Sequence, residues 1–326
     1  MDALVARLSP ILHLTRVTTV FAAISNVWFV LLWSRASAHE RGFAPSAVTE
    51  GPLWPVLAGG AIFAMGLFAF ATALNDTIDA RRDRALHPDK PLPSGRMSIE
   101  TAVALVAGAL LCAVLGATIL GIPAVFMCLF TTFTILVHNS AARYVPQVGL
   151  VTLGLVYGAH MMTANAYLIF VWPVLVVMAH ALLLGAVTHR LEGKRPKLTW
   201  PVLLTAAAGW LFWSGVLLYV GIMRADGLWP TWVHPQAAVV PALLAAAFAL
   251  FAWNKARITT DTRRAADKIR RYGAFWVTLY GIGWMLGQGY TDEALLLVAL
   301  SLAGLLGMTV LRETYGLIEH PIGYRR

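Results

Sequence analysis

Charge is scarce in this chain. Only 13% of its 326 residues are Asp, Glu, Lys or Arg, against 59% hydrophobic, which leaves a folded protein too few charged side chains to face water on all sides. Lipid is the solvent this balance fits, and a helical bundle in a bilayer can carry residues 1–326 as a single domain. Cysteine is nearly absent too. Cys112 and Cys128 both lie in apolar stretches, which excludes a disulfide-stapled scaffold or a Cys-rich metal site and leaves two small buried thiols. Short-period repeats and Gly/Ser-rich linkers are also lacking, so nothing marks an internal boundary. The first apolar stretch runs into Trp33, Ser34 and Arg35 without a small-residue cleavage site and is expected to remain as a helix.

Acidic residues are the rarer sign, 16 against 25 basic, for a net charge of +9. Gathered in one patch, that excess would suit nucleic acid, but it recurs between apolar spans. A bilayer-crossing helix needs about 17 to 25 apolar residues. Ten candidates lie near 17–35, 54–74, 98–120, 122–139, 146–164, 167–188, 200–222, 236–254, 272–289 and 293–311. The expected fold is therefore all-α, a polytopic transmembrane helical bundle of about nine to ten spans. With the N-terminus in the cytoplasm, only Arg35, Arg41 and Arg224 of the basic residues fall outside. That asymmetry places both termini inside, makes a nucleic-acid partner unnecessary and leaves membrane lipid as the surrounding partner. A bacterial inner membrane is the expected location.

The second span runs into Asn75-Asp76-Thr77-Ile78-Asp79-Ala80-Arg81-Arg82-Asp83, with carboxylates at i, i+3 and i+7. At about 100° per residue, all three fall within a sector of roughly 60°. Like charges stacked on one face need cations. Mg²⁺ shared with a substrate phosphate would supply them, and so would pairing with Arg81, Arg82 and Arg84; spacing alone leaves both open. Pro91-Leu92-Pro93-Ser94-Gly95-Arg96 then turns the chain and offers Ser94 and Arg96 beside the same face.

These two stretches, Asn75 to Asp83 and Lys90 to Arg96, resemble the NDxxDxxxD and RPLxSG signatures of the UbiA superfamily of intramembrane prenyltransferases. The resemblance implies that Asp76, Asp79 and Asp83 hold Mg²⁺ against a prenyl diphosphate, with Asn75 supporting. His138-Asn139-Ser140-Ala141-Ala142-Arg143 stands where the family carries a segment ending in a basic residue, which implies that Arg143 faces the diphosphate; His138 is a substrate-contact candidate by location, and Asn139, at the end of its span, would either orient ligand or cap the helix. After the sixth span the family usually has a second aspartate motif. Here the chain reads Thr188-His189-Arg190-Leu191-Glu192-Gly193-Lys194-Arg195, so His189, Glu192, Lys194 and Arg195 become the candidates, with Lys194 and Arg195 able to neutralise phosphate oxygens directly.

The implied activity is Mg²⁺-dependent ionisation of an isoprenoid diphosphate and transfer of the prenyl group to an aromatic or other lipophilic acceptor. Two alternatives share the same cluster. One is a membrane terpene cyclase, in which an internal alkene attacks; the other is a non-catalytic polyprenyl-phosphate binding protein or transporter. His160 and His180, inside apolar spans, are further candidates by location.

Overall fold

The computed structural model describes residues 10–12, 14–16, 19–38, 46–225 and 227–319, with 311–319 described in backbone only. Among the described residues there are ten long helices and no strand. They are α1 (Val20–Ala36), α2 (Leu53–Leu86), α3 (Ile99–Leu120), α4 (Ile122–Ser140), α5 (Pro146–Met162), α6 (Trp172–Leu191), α7 (Trp200–Ala225), α8 (Val239–Ile258), α9 (Thr262–Gln288) and α10 (Thr291–Glu319). The ends follow local rules. Pro123, Pro146 and Pro173 stand in the first turns of α4, α5 and α6, where a missing N–H costs nothing. The Ser98 hydroxyl and the Asp261 carboxylate cap α3 and α9 by accepting from the N–H of Thr101 and Arg264. At φ 90°, Gly289 ends α9 in the left-handed conformation.

Seven of these helical segments are long and apolar enough to cross a membrane by length and composition. At 17 residues each, α1 and α5 are shorter. Helix α9 begins with two charged turns before its buried face of Val277, Tyr280, Trp284 and Met285. The outward surface is apolar: Phe126 on α4 and Leu250 on α8 are each 69% exposed. Water would make such a surface a liability, whereas a bilayer accommodates it.

In lipid, tight van der Waals packing holds helices together, and it needs small residues. Helices α2 and α3 show this most clearly. A Cβ on Gly116 would come within 2.3 Å of the Phe63 backbone nitrogen, and one on Gly66 within 2.5 Å of the Ala113 nitrogen. Helix α9 is the other organiser, packing on α1, α6, α8 and α10. His180 ties α6 to α9, with Nδ1 3.1 Å from the Tyr280 hydroxyl and Nε2 3.1 Å from the Gly273 carbonyl oxygen. His160 stacks on Phe63 inside the bundle.

The two ends of the bundle differ. At one, Trp33, Phe170, Trp229, Trp232, Trp284 and Tyr290 interlock in stacked and edge-on contacts. There the Arg35 guanidinium donates to the Val48 and Gly51 carbonyls, and Arg224 donates to that of Ala166. Both outlying arginines therefore cap backbone carbonyls, while Arg41 lies outside the described residues. The other end gathers the remaining connections and the acidic face.

Candidate functional site

Helix α2 does not stop near residue 74, where its apolar run ends, but continues to Leu86. The added turns keep Asp76, Asp79 and Asp83 on one rigid helix, with Asp76 and Asp83 buried. Their charges are met by cations from other segments, not by Arg81, Arg82 and Arg84. Lys90 Nζ donates to Asp76 Oδ1 at 2.9 Å and to Asp83 Oδ2 at 2.7 Å. Arg143, in the one-turn helix after α4, holds Asp79 through both terminal nitrogens, at 2.9 and 2.5 Å. The same guanidinium donates to Asn75 Oδ1 and to the Tyr144 hydroxyl, and Arg16 approaches Asp76 Oδ1 at 3.9 Å.

The ammonium of Lys90 shows how strongly this face binds a cation. Burial opposes its charged form, but the hydrogen bonds it donates to Asp83 and Asp76 and their negative charge together outweigh it. Its pKa is accordingly raised above the usual 10.5.

A second charged group faces the first across the bundle end. Glu192, at the C-terminus of α6, pairs with Lys194 at 2.8 Å and with Arg270 from the third turn of α9. Arg270 also donates to Asp267 at 2.8 Å. Lys194 is close enough to Arg82, Arg16, Arg143 and Asp79 to feel their charges. Burial first, and then the three arginines, lower its pKa below 10.5.

The sequence-derived candidates thus fall into two sets. Asn75, Asp76, Asp79, Asp83, Arg143, Glu192 and Lys194 converge at one bundle end. The others make local contacts. Ser94 bonds the carbonyl oxygens of Lys90 and Pro91, and Arg96 bonds Ser94 and the Asp89 carbonyl, which fixes the turn that presents Lys90. His138 Nδ1 meets the Thr152 hydroxyl at 2.8 Å. Asn139 donates to the Ala71 carbonyl and pins α4 to α2, while His189 braces its loop through the Pro196 carbonyl. Arg195 is exposed. Two cations, Lys90 and Arg270, join the site although sequence reasoning gave neither a role. Lys90 opens the turn motif and was visible there, whereas Arg270 carries no local signal.

The donor chemistry suits a hard divalent cation. Asp76 and Asp83 already share one positive nitrogen, and Mg²⁺ takes carboxylate and phosphate oxygens together with waters, without needing an all-protein cage. Asp79 is turned to Arg143. Among the described residues, no three His, Cys, Asp or Glu side chains converge into a group that could hold a metal. Of the expected set of Asp76, Asp79 and Asp83, the first and last would be free to turn from Lys90 to such an ion, with Asp79 one helical turn from each.

A family model described as the UbiA prenyltransferase family matches residues 27–280, more than half of the chain. No curated protein matches it in sequence. Among solved structures, a digeranylgeranylglyceryl phosphate synthase aligns with a TM-score of 0.53 at 17% identity, covering 86% of this chain and 98% of its own. The apo structure of a homologue from Aeropyrum pernix K1 aligns with a TM-score of 0.55 at 18% identity, covering 82% and 97%. At those identities the likeness is one of fold.

Proposed function

The chain belongs to the UbiA prenyltransferase family, and we propose that it ionises an isoprenoid diphosphate with Mg²⁺ and transfers the prenyl group to an aromatic or other lipophilic acceptor. One observation carries this reading. Three carboxylates on a single helix face stand at the end of an apolar bundle, and Lys90, Arg143 and Arg16, from three other segments, reach in among them.

Bound at Asp76 and Asp83, Mg²⁺ would supply positive charge to the phosphate oxygens of the leaving group. The chain's own residues do the rest. Arg143 is planar and fixed on Asp79, so its remaining N–H groups are oriented before the donor arrives. Lys90, held by Asp76 and Asp83, carries a compact charge on a flexible stem that can turn from carboxylate to phosphate. With the diphosphate neutralised, the allylic carbon–oxygen bond breaks heterolytically and its electron pair leaves with the diphosphate. The apolar helices hold the isoprenoid tail and exclude water, which would otherwise trap the cation as an alcohol. A nucleophilic acceptor then forms the new bond and loses a proton. Membership of this family makes the protein an integral membrane protein, and the basic residues gathered at the charged end favour the cytoplasm for that face.

The test is product analysis. Purified protein in lipid vesicles, given prenyl diphosphates of several lengths, Mg²⁺ and candidate lipophilic acceptors, is expected to yield a prenylated acceptor detectable by mass spectrometry. A cyclised hydrocarbon formed without acceptor would replace transfer with cyclisation. Binding of donor with no diphosphate released would refute the enzymatic reading.

A further inference from the structure

One stretch of the chain carries charge that the site does not use. From the end of α8 into the third turn of α9, residues 255–271 hold seven basic side chains and two acidic ones. Both acids are engaged: Asp261 caps α9 and pairs with Arg264 at 3.2 Å, and Asp267 pairs with Arg270 at 2.8 Å. Arg270 itself belongs to the site through Glu192. Lys255, Arg257, Arg263, Lys268 and Arg271 are left with no acidic partner among the described residues.

Their placement is ordered. At about 100° per residue, Arg263, Arg264, Lys268 and Arg271 fall within a sector of about 140° on α9, all exposed, opposite the buried Ala265, Ala266, Ile269 and Gly273. On α8, Lys255 and Arg257 lie over the rings of Phe251 and Trp253, at 6.0 and 5.7 Å from their centres. Apolar side chains stand among these charges. Ile258, the last residue of α8, is 72% exposed and Trp253 65%, and Tyr272 is exposed beside Arg271. A connection held clear of the bilayer would put all three in water. At the boundary between acyl chains and headgroups they are accommodated, because aromatic rings settle there and basic side chains reach from it to phosphate.

We propose that Arg263, Lys268 and Arg271 on α9, with Lys255 and Arg257 from α8, form a docking surface for the headgroups of anionic phospholipids in the surrounding bilayer. Charge complementarity selects this occupant. Phosphatidylglycerol presents a phosphodiester with a net negative charge, whereas the headgroup of phosphatidylcholine is neutral overall, and only the first gains from five cations without acids. Retention of basic residues on one membrane face explains their number; it does not require them to share an outward helix face with exposed aromatic and aliphatic side chains. The surface is independent of the prenyl-diphosphate reading, but it touches the site mechanically. Arg270 lies between Lys268 and Arg271 on the same helix, so lipid bound along the outer face braces the turn that carries Arg270 to Glu192.

The decisive measurement is native mass spectrometry of the full-length protein in a neutral detergent, titrated with dioctanoyl phosphatidylglycerol or with dioctanoyl phosphatidylcholine. Phosphatidylglycerol is expected to bind at least about tenfold more tightly, given about fivefold for each Lys or Arg near a headgroup, and the preference should shrink as ammonium acetate rises. Replacing Arg263, Lys268 and Arg271 together by Gln should abolish most of it. If that variant fails to fold, Lys268→Gln alone, with an expected loss of about fivefold, carries the test. Neutralising three other exposed cations at the same bundle end, Arg190→Gln, Arg195→Gln and Lys197→Gln, should leave the preference in place. Equal affinity of the wild type for the two lipids, or an equal loss from both triple variants, would overturn the proposal. So would wild-type binding of soluble glycerol 3-phosphate as tight as that of phosphatidylglycerol, which would make the patch a general anion site.

Discussion

Removing Arg143 tests the coupling on which the acidic face depends. Its side chain and that of Asp79 are only 15% and 14% exposed, and two hydrogen bonds of 2.9 and 2.5 Å join them across 64 residues of sequence. Stripping one partner from a buried ion pair costs about 3–5 kcal/mol, because the other charge is left unpaired. Here residual solvent access and the nearby charge of Lys194 reduce that to about 2–3 kcal/mol for Arg143→Gln. Asp79→Asn strands the guanidinium and should cost a similar amount. The double variant loses both charges together, so its destabilisation should fall short of the sum by at least about 1.5 kcal/mol. Reversible unfolding in mixed SDS micelles, followed by tryptophan fluorescence, measures all three. Additivity within about 0.5 kcal/mol would refute the pairing.

Three further outcomes follow from the same geometry. Gly116→Leu should force α2 away from α3, because even a Cβ at that position meets the Phe63 backbone nitrogen at 2.3 Å; a loss of at least about 2 kcal/mol is expected in the same unfolding assay. The raised Lys90 pKa contributes stability that is fully present below the unfolded value near 10.5 and is lost as pH rises through the higher folded value. Melting temperatures should therefore fall on that alkaline limb in the wild type and much less in Lys90→Gln; parallel curves would contradict the assignment. Lys90→Gln should also bind Mn²⁺ more tightly, by about tenfold, since it removes a cation that competes for Asp76 and Asp83. Weaker binding would show that Lys90 supports the metal instead.

Much of the bundle is legible in sequence because lipid imposes a length and an apolar character on every span. Each of the ten expected segments overlaps one of the ten helices, although the sixth begins at Trp172 and not at 167. The end of α2 is less legible, since hydropathy stops near residue 74 while the backbone, with no Pro or Gly from Leu74 to Leu86, stays helical. The i, i+3, i+7 spacing placed the aspartates on one face correctly, but it could not name their partners. Local spacing offered Arg81, Arg82 and Arg84, and the fold supplied Lys90 and Arg143. Arg270 was hidden for a different reason. It sits in a run with Arg263, Arg264, Lys268 and Arg271, and only the packing of α9 on α6 selects the one that reaches Glu192, 78 residues away. Arg195, adjacent to Lys194 in sequence, points to no partner among the described residues.

The most direct measurement is diphosphate release in a single turnover, with protein in excess over a prenyl diphosphate donor. The wild type with Mg²⁺ should release one diphosphate per donor, and EDTA should stop the release. Asp76→Asn, which removes one of the two carboxylates around the shared cation while leaving the fold intact by circular dichroism, should reduce the rate by at least about a hundredfold. Release by Asp76→Asn at the wild-type rate, or by the wild type in EDTA, would contradict a metal-dependent ionisation site on α2.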